Sequence, residues 1–259
     1  MKSKRKILEK RFEVDSDGCK CRGKIMFPSK KKNQPVVIIS HGFGGCMKDT
    51  KINAKLFAEL GYVAVYFDFC RSGCRTKSTG KTTEMSVLTQ KNDLIRVIDY
   101  IKEQPFCDKD RIYLLGLSQG GFVSALAAAE REDDVKELLM YYPALCIPDD
   151  VRNGRALNGV FDKDNPPETV MSLYLKLGKK FITDAAKLDP YKEICTFKKP
   201  VLIIHGTEDA LVSVDYSRKA AEQYENCRLI EIHGDHGFSG DSYAECEALT
   251  IKYMTGKLN

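Results

Sequence analysis

Gly116-Leu117-Ser118-Gln119-Gly120-Gly121 stands between the β-rich run Arg111-Ile112-Tyr113-Leu114-Leu115 and a small-residue helix pattern from Phe122 to Ala129. Strand, sharp turn and helix are all readable within this one stretch, so it constrains the fold more than any other. Glycines two positions to either side of Ser118 let the backbone turn without a Cβ clash, which would hold the hydroxyl proud of a sheet edge in strained φ/ψ. A glycine-rich turn whose serine merely caps the helix is the plainer alternative, because serine is also a favoured N-cap. The histidines decide between the two.

There are four of them. His41 follows Val36-Val37-Ile38-Ile39, His205 follows Val201-Leu202-Ile203-Ile204, and His233 and His236 follow Leu229-Ile230-Glu231-Ile232. In a parallel sheet the strand ends share one edge, where loops collect reactive groups. Histidines confined to three strand ends therefore point to a site along that edge.

The rest of the chain alternates strand and helix. Phe12-Glu13-Val14 and Lys20 to Phe27 flank Asp17-Gly18, a dipeptide suited to a tight hairpin turn, so an antiparallel pair is expected first. Then come a buried-type strand from Val36 to Ser40, a helix spaced by Ile52, Leu56 and Leu60, a strand from Tyr62 to Phe67, and a helix from Val87 to Glu103. After the serine turn a strand runs near Leu138 to Tyr142, and from Val201 the rhythm resumes: strand to Ile204, helix around Ser217 to Tyr224, strand Arg228 to Ile232, and a final helix spaced by Tyr243, Cys246 and Tyr253. Such alternation implies right-handed crossovers and an α/β fold, with a mostly parallel central sheet and helices on both faces. Between Pro143 and Pro200 the rhythm breaks around Pro148, Asn165-Pro166-Pro167 and a short apolar helix expected from Val170 to Leu177. The aromatics Phe161, Tyr174, Phe181 and Tyr191 argue against a bare surface loop there. The expected organisation is a core over 1–144 and 200–259, with 145–199 inserted as a cap above the sheet edge that carries Ser118.

Composition allows this and excludes other classes. A chain of 259 residues suits one α/β domain with an insertion. No apolar run approaches the roughly twenty residues of a bilayer span, so no membrane association is expected. The basic start, Met1 to Lys6, leads into no apolar signal core, so no export signal is read and a cytoplasmic setting is expected. Ten cysteines show no framework spacing and are expected as reduced thiols. Cys19 and Cys21 share one strand face and Cys70 and Cys74 flank a glycine turn; neither pair completes a zinc pattern, and no metal is expected. The net charge of +5 is dispersed over Lys2 to Arg11, Lys30 to Lys32 and Lys179-Lys180 without interleaved aromatics, which reads as solvated surface and not as a nucleic-acid face.

A serine hydroxyl becomes a nucleophile when a base takes its proton, and the base needs a carboxylate to fix its tautomer. Ser118 is the candidate nucleophile, Asp209 in His205-Gly206-Thr207-Glu208-Asp209 the acid, and His236 in Gly234-Asp235-His236-Gly237-Phe238 the base. His236 lies past a glycine turn that can reach back to Ser118, whereas His233, directly at its strand end, is expected to frame the site. Glu208, Asp215 and Asp235 are rival acids. Backbone N–H groups must meet the negative charge that develops on a carbonyl oxygen. Gln119, next after the nucleophile, and Phe43, in His41-Gly42-Phe43-Gly44-Gly45, are the candidate oxyanion donors, with His41 expected to brace the loop that presents Phe43. The same glycine loop lacks the spacing of a phosphate cradle.

Taken together, His41 to Gly45, Asp68 before the turn at Gly73, Gly116 to Gly121, His205 to Asp209 and Gly234 to Phe238 resemble the α/β-hydrolase superfamily across most of the chain, down to the chain order Ser, Asp, His. Within it, the Ser-Gln-Gly-Gly elbow, the His-Gly-Phe loop and the insertion before the acid strand are similar to bacterial cinnamoyl and feruloyl esterases. That resemblance implies a serine carboxylesterase for small carboxylic esters, hydroxycinnamates among them, with no metal or organic cofactor. It carries substrate contacts onto Asp150 and Tyr174. Where that family often reads Asp-Phe-x-Gly-x-Gly-x-Ser, this chain has Asp68-Phe69-Cys70-Arg71-Ser72-Gly73-Cys74-Arg75, so the loop beside the site is altered. A monoglyceride lipase, peptidase or acyltransferase of the same fold, or a non-catalytic binding module, are the alternatives. The expected partner is a small ester substrate; a homodimer is admitted as an oligomeric state.

Overall fold

The computed structural model describes residues 7–29, 31–73 and 75–258. Strands β1 (Leu8–Ser16) and β2 (Cys19–Phe27) form the expected hairpin. Asp17 and Gly18 both take positive φ at its turn, 46° and 75°, the conformation that a two-residue hairpin matching strand twist requires. There follow β3 (Gln34–Ser40), α1 (Lys51–Glu59), β4 (Val63–Asp68), α2 (Val87–Lys102), β5 (Cys107–Leu117), α3 (Gln119–Glu130) and β6 (Glu137–Tyr141). The insertion holds α4 (Ile147–Arg152), β7 (Arg155–Ala156), β8 (Gly159–Val160), β9 (Thr169–Ser172), β10 (Leu175–Gly178), α5 (Lys179–Ala186) and α6 (Pro190–Ile194). The chain then returns through β11 (Val201–Gly206), α7 (Val214–Gln223), β12 (Cys227–Ile232) and α8 (Asp241–Met254).

Among the described residues the main sheet has eight strands in the order β1-β2-β4-β3-β5-β6-β11-β12. From β4 to β12 every neighbouring pair is parallel, and only β2, antiparallel to both β1 and β4, runs against the rest. Parallel strands with both faces covered need apolar side chains in both directions, which is why Val36-Val37-Ile38-Ile39 is an unbroken apolar run. Val36 and Ile38 join a core with Leu94, Ile98 and Phe122 of α2 and α3. Val37 and Ile39 join a second core with Ala54 and Phe57 of α1 and Cys246 of α8. Each fully buried aliphatic side chain in these layers contributes about 1.5–3 kcal/mol.

Three expectations need correction. Val170 to Leu177 is not a helix but the β9–β10 hairpin. Its burial alternates, with Val170 and Ser172 in and Met171 out, then Leu175 and Leu177 in and Lys176 out, and Leu173 turns the chain at φ 51°. Ile52, expected on the buried stripe of α1, is exposed; Asn53, Ala54, Leu56, Phe57 and Ala58 are the buried residues instead. The third concerns His233 and belongs with the site below. The insertion also has no core of its own: Leu177, Phe181, Ile182, Ala185 and Ile194 lie in the same apolar cluster as Leu114 and Phe122. Nine cysteines are free thiols, and Cys74 lies outside the described residues. Among the described residues no helix is long and apolar enough to cross a membrane.

Candidate active site

Ser118 links the end of β5 to the start of α3 at φ 53° and ψ −122°, a backbone conformation that costs a non-glycine residue about 1–3 kcal/mol. Its surroundings hold it there. Ser118 N–H donates to Tyr141 O of β6 at 3.0 Å, and Ser118 O accepts from the amides of Gly121 at 2.8 Å and Ala144 at 3.0 Å. The flanking glycines are required by close approach: a Cβ on Gly116 would collide with Gly120 O, and one on Gly120 with His41 O and Ser40 O. The helix thereby presses against the ends of β3 and β5 and pushes the serine out between them.

Ser118 Oγ lies 2.9 Å from His236 Nε2, and His236 Nδ1 lies 2.6 Å from Asp209 Oδ2. Because Nδ1 faces a carboxylate it must carry the proton, which leaves the Nε2 lone pair toward the serine hydroxyl. Asp209 is buried. Its Oδ1 accepts from the amides of Leu211 and Val212, both at 2.9 Å. Burial alone would raise its pKa, but donation from His205, His236 and the Val212 amide outweighs that and holds the carboxyl well below the usual carboxylate range. His205 is buried too, with Nε2 3.1 Å from Asp209 Oδ2 and 3.0 Å from Val212 O, and Nδ1 2.6 Å from Ser217 Oγ. Two acceptors face its Nε2, so that nitrogen is the donor and Nδ1 accepts from the serine.

The residue that frames the acid is thus His205, not His233. His233 is 81% exposed and lies 3.5 Å from Glu208, because the chain leaves the sheet at Ile232 and the next side chain points outward. The rival acids are occupied elsewhere: Asp215 accepts from Arg218 and Asp235 from Ser239. Tyr142 and Phe238 pack together beside His236, the Tyr142 ring centre 4.7 Å from that of His236.

On the other side of Ser118 stands the N–H of Gln119, the first residue of α3, which at a helix start has no intrahelical acceptor. His41 braces the facing loop. Its Nδ1 donates to Gly42 O at 2.8 Å and its Nε2 accepts from Phe69 N–H at 3.2 Å, and burial holds the imidazole below its ordinary pKa in that neutral form. Asp68 accepts from the amides of Met47 and Lys77, both at 2.6 Å, which ties down the altered loop.

A narrow cleft, with a cavity of about 30 Å³, reaches Ser118, Gln119, Phe43 and His236. Its far wall comes from the insertion, through Cys146, Ile147, Val151, Ala156 and Phe181, and Leu211 and Val212 close one side. Asp150 lies in this wall, half-buried, with its carboxyl pushed up by burial. Tyr174 does not line the cleft; it is 53% exposed and its hydroxyl donates to Gly44 O. The sequence did not mark His205 as the partner of Asp209, although the two stand only four residues apart. It also missed Gln90, whose signal was a polar residue on the apolar stripe of α2. Among the described residues no group of three or more His, Cys, Asp or Glu side chains is arranged to hold a metal ion.

Est1E from Butyrivibrio proteoclasticus, solved with ferulic acid bound, has this fold, with a TM-score of 0.87 and 30% identity over 95% of this chain and 99% of that one. Quorum-quenching protein AidA of Acinetobacter baumannii (strain MDR-ZJ06) is 29% identical over 120 residues, 45% of this chain and 38% of its own. An uncharacterised 31.7 kDa protein from the traX-finO intergenic region of Escherichia coli is 31% identical over 105 residues, 40% of this chain and 35% of its own. The chain therefore aligns with little more than a third of these two relatives' length. The fold is that of the α/β hydrolases, and with residues 22–253 matching its pattern the chain belongs to the dienelactone hydrolase family.

Proposed function

We propose that the protein is a serine carboxylesterase that cleaves small esters, hydroxycinnamate esters among them, through an acyl-Ser118 intermediate. The observation that carries this reading is the unbroken line from Ser118 Oγ through His236 to Asp209, at 2.9 and 2.6 Å, opening into an apolar cleft. In the first half-reaction Ser118 Oγ attacks the ester carbonyl carbon while its proton passes to His236 Nε2. The carbonyl electron pair moves onto oxygen, where the amides of Phe43 and Gln119 receive the charge. Collapse re-forms the carbonyl and breaks the bond to the alcohol oxygen, which leaves with the proton held at Nε2. Water then repeats the sequence in reverse roles and frees the acid. Asp209 stays ionised throughout and holds Nδ1–H.

In this reading residues 145–199 act as a cap whose apolar wall receives the acyl group. Asp150, a half-buried carboxyl in that wall, accepts a hydrogen bond from a ring hydroxyl. The likeness to a protein solved with ferulic acid supports the aromatic acyl group. The test compares wild type with Ser118→Ala on methyl ferulate and p-nitrophenyl acetate. The variant is expected to lose at least about 10³-fold in kcat, and the wild type to prefer methyl ferulate. Full activity in Ser118→Ala would end the serine mechanism; a strong preference for short aliphatic acyl groups would end the aromatic assignment.

A further inference from the structure

Of the residues that open α3, Gln119-Gly120-Gly121, only Gln119 has a side chain by which that first turn can be gripped. The side chain is 1% exposed, and its Nε2 donates to Gln90 Oε1 at 2.7 Å. Gln90 lies on the buried face of α2, itself 1% exposed. Its Nε2 donates to Ser72 Oγ at 3.2 Å and reaches Met85 Sδ at 3.4 Å. The Ser72 hydroxyl donates to Cys70 O at 3.4 Å, and the Cys70 amide is anchored on Asp93 Oδ2 at 2.8 Å. The direction of this chain is fixed, because turning the Gln90 amide over would set its oxygen against a thioether that has no proton to give.

We infer that Gln90 is a positioning residue for the reaction proposed above: it holds the Gln119 side chain, and through it sets the direction of the Gln119 backbone N–H toward the oxyanion. The inference rests on that amide being one of the two donors of the proposed mechanism. Apart from Asp93, the other buried residues of this helix face are the apolar Val87, Leu94, Val97, Ile98 and Ile101, and the polar Gln90 among them has its physical reason here. The elbow is strained at Ser118 and followed by two glycines, so the rotation of the first turn is weakly determined by its own residues. A buried amide-to-amide hydrogen bond supplies the missing constraint.

The test uses Gln90→Leu, Gln119→Leu and the double variant, all of which keep the backbone N–H. Rates are expressed per site labelled to completion by a fluorophosphonate, so that loss of folded protein does not enter. Each single variant is expected to lower kcat on methyl ferulate about tenfold to a hundredfold, with KM within about twofold. Affinity for phenylboronic acid, whose tetrahedral serine adduct places an oxygen in the same site, should fall by a similar factor. The double variant should lose no more than either single one, since the two side chains act as one unit. Gln90→Leu with wild-type kcat per labelled site, or with KM and not kcat changed, overturns the inference while Ser118→Ala remains inactive. If Ser118→Ala is itself active, the failure lies in the proposed mechanism instead.

Discussion

Asp209 is where the proposed chemistry and the stability of this site meet in one side chain. A buried carboxylate without a partner is costly, and here the partners are two histidines on Oδ2 and two amides on Oδ1. Donors in that number stabilise the charge, and they fix the carboxylate plane beside His236. His205 therefore matters beyond its packing. His205→Leu is expected to lower kcat about tenfold by letting Asp209 rotate, and to cost about 1–3 kcal/mol by orphaning Ser217 Oγ and Val212 O. Steady-state kinetics and urea unfolding read the two effects separately; an unchanged kcat would remove His205 from the site. The sequence pointed to the strand ends that carry Asp209 and His236, because apolar runs followed by His and Asp are visible without coordinates. Which of His205 and His233 frames the acid was not legible, since it depends on which way the last side chains of β11 and β12 point.

At the level of elements, the elbow is held by backbone contacts that only glycine permits. Gly120 lets α3 rest on the carbonyls at the end of β3, and a methyl group there has no flexible neighbour to displace. A Cβ on Gly121 would meet Pro143 Cβ, Pro143 Cα and Gly116 O at 3.0, 3.1 and 3.2 Å, tight but short of the overlap at Gly120. Gly120→Ala is expected to destabilise by more than about 3 kcal/mol, Gly121→Ala by clearly less, as measured by thermal unfolding. Equal losses would mean that helix α3 can shift as a body. The strands and helices of the core were legible because their burial imposes clean periods of 2 or 3.6 along the chain. The insertion was not, because Val170 to Leu177 is short and apolar at spacings that fit both periods. What selects the hairpin is tertiary: Leu175 packs against Gly73 and Gly44, and Thr82 Oγ1 donates to Lys176 O at 2.6 Å. Those partners lie some hundred residues away and leave no local mark.

Across the whole molecule, the N-terminal hairpin, the loop after β4 and helix α2 converge on a second buried acid. Arg71 donates to Asp17 O at 2.9 Å and sits 3.9 Å from Asp93, while Asp93 also accepts from the Cys70 amide. Among the described residues no hydrogen bond of good geometry reaches Arg71 Nη1, Asp93 Oδ1 or Ser16 Oγ, all buried, so this junction is only half satisfied. Burial consequently pushes the Asp93 carboxyl up to about 6, against the pull of Ser16, the Cys70 amide and Arg71. The folded state then binds this proton more tightly than the unfolded chain does, and between about pH 4 and pH 6 it carries more of it. Stability contributed by the site is therefore full below about pH 4, falls as pH rises through that window, and is level above it. Asp209 acts in the opposite sense, since its depressed pKa contributes stability that is lost only on acidification below the usual carboxylate range. The two can be separated by Asp93→Asn, which keeps an acceptor for the Cys70 amide but cannot titrate. Urea unfolding of wild type and variant at a series of pH values should show the wild type losing ground to the variant by up to roughly 3 kcal/mol between pH 4 and pH 7. Curves that run parallel over that range would show that Asp93 is ionised at the same pH in both states, and that the junction joining hairpin, loop and helix carries no proton-linked strain.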